Sequence, residues 1–472
     1  MWVLCAAAIP AGAAVQWPET ELARHAQAWF AMLAGDEAAA RAFFADHMSA
    51  QTPNPVSIET RLQRRAATIE RTGGLTPLEV VDDDVARLAV RCKAGNGDFV
   101  VAMFEGDDTP AHRLLGVRLE ARPPGAEGEA PPRPAGPALD DGEAARQAQA
   151  WLDSRAASGA WSGAALIARG NDVLVSGAWG DADRAKKIAN TTGTRFNVGS
   201  IGKLFTRVAI AQLAQAGKLS LDDRLSRFLP DFPHADSITI AMLCAHRSGV
   251  GDIFNDAYEA MDKARLRHNH DYLPLIRNQP LWFAPGTGQR YSNGGYVLLG
   301  EVIAKASGED YYDYLATHVF GPAGMTATSA LVEGDGTKGV ARGYTAQGGG
   351  GGERDNVGTR PARGSAAGGS YSTLADLLAF DRALLGARLC DRAWSAWVTG
   401  GPRPDAGAAA APEVPSFGFA GGAPGLNAEW ERDGDVVMFV LTNRDPEVAR
   451  PTVQGLRDIV RRMKPGAAPA RP

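Results

Sequence analysis

With 472 residues, 45% of them hydrophobic and 22% charged, the chain has the composition of a globular protein with ample material for a large core, and its length allows two or three domains. A formal net charge of −5 and a pI near 6.0 argue against a nucleic-acid binder, which carries a basic stripe. No apolar run approaches the roughly 20 residues that a membrane-spanning helix needs, so no transmembrane segment is expected.

The chain starts with an apolar stretch, residues 1–14, that ends in small residues. It has the apolar centre and Ala-x-Ala end of a secretory signal but no cationic start. Residues 1–15 are therefore expected to be a signal peptide and the protein periplasmic or secreted, with a short helix of a cytoplasmic protein as the alternative. The four cysteines, Cys5, Cys92, Cys244 and Cys390, show no C-x-x-C spacing and imply no disulfide framework. His268 and His270 lack neighbouring ligands at metal-binding spacing, so no metal and no cofactor is expected.

Residues 16–121 read as a small α+β accessory domain. Helical periodicity runs over 18–46, with Leu22, Trp29, Phe30, Leu33, Phe43 and Phe44 inward, and an Arg-rich helix follows over 58–71. Four strand-like runs, 76–81, 85–92, 98–104 and 112–119, are separated by turn signals such as Asn96-Gly97 and predict an antiparallel meander. At the level of this pattern the domain resembles the nuclear transport factor 2-like cones, and its expected task is contact with a partner or with the second domain. Residues 122–142 form a linker whose prolines favour an extended spacer.

From residue 143 the pattern restarts and continues to 463. A helix over 143–157 leads into a hairpin, 163–169 and 173–179, turning at Gly170-Asn171. Helical and loop segments fill 200–400. Strands over 428–432 and 435–442 and a helix over 447–463 close the pattern. Strands at both ends with a helical block between them predict one antiparallel sheet covered by helices. The glycine run 348–352 reads as a surface loop and 464–472 as a disordered tail.

Two motifs carry the chemistry. Ser200-Ile-Gly-Lys203 sets a hydroxyl and an amine one turn apart at the start of a helix expected to be amphipathic. A helix start offers free N–H groups to a developing oxyanion. Lysine serves as a base only when neutral, which at its reference pKa is about one molecule in a few thousand at pH 7; burial can change that. Tyr291-Ser-Asn293 supplies a phenol that can relay the serine's proton and an amide, Asn293, that can donate to a substrate carbonyl. Each motif alone is a common surface pattern, and their joint occurrence is the signal.

Together with Leu243-Cys-Ala-His-Arg-Ser-Gly249, Pro285-Gly286 and Ala367-Gly-Gly-Ser-Tyr-Ser-Thr373, these motifs make residues 143–463 resemble the serine β-lactamase and penicillin-binding protein superfamily. The nearest branch is the class C β-lactamase-like serine hydrolases, which include esterases and D-peptidases. The resemblance implies an α/β sandwich with an inserted helical region. It also implies Ser200 as acylated nucleophile, Lys203 and Tyr291 as shared base and acid, and the Ser200 and Gly422 amides as oxyanion hole. The superfamily's third motif, Lys/His-x-Gly, falls on Phe419-Ala-Gly421, so Phe419 stands where a cation is expected, with Gly421 and Gly422 beside it to bind substrate. A cation there would attract a substrate carboxylate through a contact of about 1.5–3 kcal/mol. Its loss favours an esterase-like hydrolase of a small ester, amide or peptide over a β-lactamase. Arg360 or Arg363 could replace the charge. The alternatives are a D-aminopeptidase or D-Ala carboxypeptidase, a β-lactamase, and a catalytically silent ligand-binding homologue.

Overall fold

The computed structural model describes residues 15–49, 57–84, 87–95, 99–107, 109–120, 137–332, 339–347, 353–404, 416–446 and 448–464. The signal-like stretch, most of the proline-rich linker, the glycine run 348–352 and the tail beyond 464 lie outside these described residues. The chain divides into two compact units, Met1–Pro132 and Arg133–Pro472.

In the first unit the helical stretch expected over 18–46 is two helices, α1 (Glu21–Ala34) and α2 (Glu37–Asp46). The break has a local cause. Gly35 ends α1, and the Asp36 side chain then accepts from Ala39 N at 2.9 Å, capping a new helix. Helix α3 (Ile58–Thr72) follows, ending at Gly73 with φ +66°. Strands β1 (Leu75–Asp84), β2 (Arg87–Ala94), β3 (Phe99–Gly106) and β4 (Leu114–Glu120) pair antiparallel in sequence order. Leu22, Trp29 and Phe30 of α1 pack with Leu88, Val90 and Phe104 of the sheet to make this unit's own core.

In the second unit α4 (Asp141–Ala157) begins inside the stretch read as linker, because the Asp140 carboxylate accepts from Glu143 N at 2.8 Å and starts the helix. Strands β5 (Gly163–Arg169) and β6 (Asp172–Trp179) form the expected hairpin. The helix after Ser200 is α5 (Gly202–Gln215); α6 (Asn293–Ser307) follows Tyr291, and α7 (Leu374–Leu385) lies beyond the 367–373 segment. Strands β7 (Phe417–Ala423), β8 (Leu426–Asp433) and β9 (Val436–Thr442) and helix α8 (Ala449–Arg461) complete the unit.

The five strands lie in the order β7-β8-β9-β5-β6, all antiparallel, so the first and last parts of the unit meet in one sheet. Strand β9 is buried along its whole length, which explains its lack of polar alternation. Its Val437, Phe439 and Leu441 face the core that holds α5 and α6, whereas Val436, Met438 and Val440 face α4 and α8. Helices thus cover both faces of the sheet, with the inserted helical region beyond one of them. Among the described residues no helix is long and apolar enough to cross a membrane.

Candidate active site

Ser200 lies in a single 3-10 turn, Gly199–Ile201, immediately before α5. Gly199 has φ +51°, and a Cβ there would meet the Gly422 N atom at 2.9 Å. Gly421 is tighter still: a Cβ would lie 2.1 Å from Val198 O and 2.9 Å from Ser200 N. Glycine at both positions lets edge strand β7 press its backbone against the serine turn. Ser200 and Gly422 both line the cleft at this approach.

Helix α5 is not the amphipathic helix expected. Lys203, Leu204, Phe205, Thr206, Val208, Ala209, Ile210 and Ala211 are all buried, as in a helix surrounded by protein. Lys203 is consequently only 6% exposed. Its Nζ lies 3.2 Å from Ser200 Oγ, 2.7 Å from Asn293 Oδ1 and 2.5 Å from the Ala367 carbonyl oxygen, over the rings of Tyr291 at 4.7 Å and Tyr296 at 5.3 Å. Burial pulls its pKa down to about 7, against an opposing pull from the Asp252 carboxylate.

Tyr291 sits in the loop before α6, whose N-terminus is capped by Ser292 Oγ accepting from Gly295 N at 2.9 Å. The Tyr291 hydroxyl donates to Ser200 Oγ at 2.8 Å. The residue is 46% exposed, but desolvation where its hydroxyl meets Ser200 pushes this phenol up to about 12, so it is protonated at neutral pH. The His246 ring lies against Tyr291 and Tyr296, with centroids 4.5 and 5.1 Å away, and its Nδ1 accepts from Ser292 N at 3.2 Å. Burial first, then the charge of Lys203, hold His246 down at about 4, so it packs here as a neutral ring.

Of the residues picked out from sequence, Ser200, Tyr291, Asn293 and Gly422 line one cleft of about 1410 Å³, with Lys203 beneath Ser200. Three expectations change. Gly421, expected to bind substrate, does not line the cleft but backs onto Val198 and Ser200. Asn293 does not hold its amide out for a substrate carbonyl: Nδ2 donates to both carboxylate oxygens of Asp252, at 3.1 and 3.0 Å. Phe419 is not among the residues lining the cleft. Its ring packs against Phe417 and Trp430 on the core side of the sheet, since alternate residues of a strand share a face. Of the two candidate replacement cations, Arg360 lines the cleft and hydrogen-bonds the Tyr371 hydroxyl. Arg363 instead covers the Tyr312 ring at 3.5 Å and donates to Ala330 O at 2.9 Å. Sequence reasoning missed Asp252, which follows the Ser248-Gly249 motif by three residues and looks there like any loop carboxylate. It also missed the Ala367 carbonyl, a backbone group that no residue type announces.

The Beta-lactamase family profile matches residues 148–460, more than half of the chain and the whole of this site. Penicillin-binding protein 4* of Bacillus subtilis (strain 168) is 36% identical over 170 residues, covering 36% of this chain and 38% of the relative, so the chain spans well under half of that protein's length. Among solved structures, a penicillin binding protein from Bacillus halodurans is 27% identical with a TM-score of 0.56, over 67% of this chain and 98% of that one. D-amino acid amidase from Ochrobactrum anthropi SV3, solved with L-phenylalanine amide, is 25% identical with a TM-score of 0.55, over 68% and 97%. The profile match, the sheet with helices on both faces and these likenesses agree: the chain belongs to the beta-lactamase family of serine hydrolases, whose members include penicillin-binding proteins and amidases.

Proposed function

We propose that this protein is a hydrolase of the class C β-lactamase-like branch, acting through an acyl-enzyme on Ser200 with a small ester or amide as substrate. The convergence of Ser200, Lys203 and Tyr291 in one hydrogen-bonded group carries the reading. With its pKa near 7, Lys203 is neutral in about half of the molecules at pH 7 rather than one in a few thousand. Its amine takes the Ser200 proton as Oγ bonds to the substrate carbonyl carbon. The carbonyl electron pair moves onto oxygen, and the Ser200 and Gly422 amides receive that charge. As the carbonyl re-forms, the bond to the leaving group breaks, and Tyr291 passes it a proton that Lys203 replaces. Water then repeats the sequence on the acyl-serine and releases the acid.

Three exposed apolar side chains on the cleft wall support an apolar group in the substrate. Ile188 is 52% exposed, Phe254 53% and Tyr291 46%; these three cleft residues are among the five most exposed large hydrophobic side chains of the described residues. Apolar surface gathered at a cleft marks a place for an apolar group. Phe419, turned into the core, supplies no carboxylate anchor. Arg360 favours a second reading, a D-peptidase or β-lactamase acting on a substrate with a carboxylate. The signal-like start supports a periplasmic or secreted setting.

Fluorophosphonate treatment followed by mass spectrometry is expected to place an adduct on Ser200 and none in Ser200→Ala. Folded wild-type protein that takes up no adduct would make this a silent member of the family. Short p-nitrophenyl esters are expected to turn over faster than a chromogenic cephalosporin, and the reverse order would favour the second reading.

A further inference from the structure

A neutral primary amine has two N–H donors and one lone pair, and its orientation decides which neighbour the lone pair meets. Three oxygens surround the Lys203 amine: Ala367 O, Asn293 Oδ1 and Ser200 Oγ. The Ala367 carbonyl only accepts. The Asn293 amide could present either its oxygen or its NH2 group, and the choice is made on its far side. There Asp252 receives Asn293 Nδ2 on both carboxylate oxygens, together with the Asn293 N–H at 3.1 Å and the Phe254 N–H at 3.0 Å. An ionised carboxylate has only acceptors. The Asn293 NH2 group must therefore face Asp252, and Oδ1 must face Lys203. Two fixed acceptors then absorb both amine hydrogens, and the remaining lone pair is left for the Ser200 hydroxyl.

We infer that Asp252 is a positioning residue for acylation: it acts through Asn293 to aim the Lys203 lone pair at Ser200. The inference rests on the Ser200–Lys203 reading proposed above. A second consequence is electrostatic. Tyr291, Tyr296 and His246 face Lys203 as neutral rings, and Arg207 lies one turn along α5. Asp252 is the charge that favours the protonated amine and keeps Lys203 from falling further.

Asp252→Asn keeps the shape but replaces one acceptor with a donor, so the Asn293 amide is no longer held in one orientation and is free to turn its NH2 toward Lys203. With a p-nitrophenyl ester, kcat is expected to fall about 100-fold while KM stays within about threefold, and the acid limb of the pH profile moves to lower pH. Combining Asp252→Asn with Asn293→Asp again sets an amide against a carboxylate but brings the charge onto the amine. Part of kcat then returns and the acid limb moves to higher pH. A merely structural role would not reverse the direction of that shift. The inference is overturned if folded Asp252→Asn keeps wild-type kcat and acid limb, or if both variants shift the limb the same way. Should Asp252→Asn fail to fold, the double variant and its opposite shift decide. If wild-type Ser200 takes no fluorophosphonate, the hydrolase reading falls, and the titration of Lys203 still tests Asp252. Followed by NMR of lysine labelled at its ε-carbon, the midpoint is expected to drop in Asp252→Asn, and an unchanged midpoint would refute the coupling.

Discussion

Lys203 shows how much of this site depends on where a side chain is put rather than on what it is. In water its amine would be almost wholly protonated at pH 7 and useless as a base; inside α5's surroundings burial brings it to about 7. The sign of the resulting pH dependence follows. Below pH 7 the amine is protonated and cannot take the Ser200 proton, so kcat/KM is expected to fall with slope one toward acid. Above pH 7 it should rise to a plateau, and because Tyr291 is held near 12 that plateau should persist to about pH 10. Steady-state rates measured from acid to alkaline pH would test this, and a profile flat through pH 7 would remove Lys203 as the base. His246, lying between Tyr291 and Tyr296, adds no limb of its own in this range because it is already neutral above about pH 4.

At the scale of elements, the site gathers the Ser200 turn leading into α5, the loop capping α6, the edge strand β7, and the loops that carry Asp252 and Ala367. Strand β7 makes its contribution through backbone, which is why its side chains misled the sequence reading. Phe419 could be aligned with a cation position, yet its half-buried ring packs against the core beside Trp430. Gly421, which offers no side chain, decides how close the strand can come. Replacing it tests that contact. Gly421→Ala would push β7 away from Val198 and Ser200, and loss of an oxyanion donor typically lowers kcat about 100-fold or more. The accompanying loss of stability is expected to be about 1–3 kcal/mol, the usual effect of forcing a methyl group into a filled space. A folded variant with wild-type kcat would show that β7 does not complete the oxyanion site.

For the whole molecule, the two units keep separate cores: residues of α1, α2 and β2–β4 make up one, while the two faces of the five-stranded sheet carry the others. Every group placed at the candidate site belongs to the second unit. A chain cut to residues 137–472 is therefore expected to fold and to label at Ser200 as the full chain does; failure to label while folded would assign the first unit a part in the site. What the sequence determined by itself was local or periodic. It marked the serine, lysine and tyrosine through short motifs, the hairpin through its Gly-Asn turn, and the first unit's strands through their turn residues. Local capping split one expected helix in two at Asp36 and started α4 two residues early after Asp140. Tertiary structure alone decided the burial that brings the Lys203 amine down to about 7, the inward turn of Phe419, and the pairing of Asn293 with Asp252. Those properties arise from groups distant along the chain. Desolvation and hydrogen-bond direction depend on which groups surround a residue in space, and short motifs do not record that.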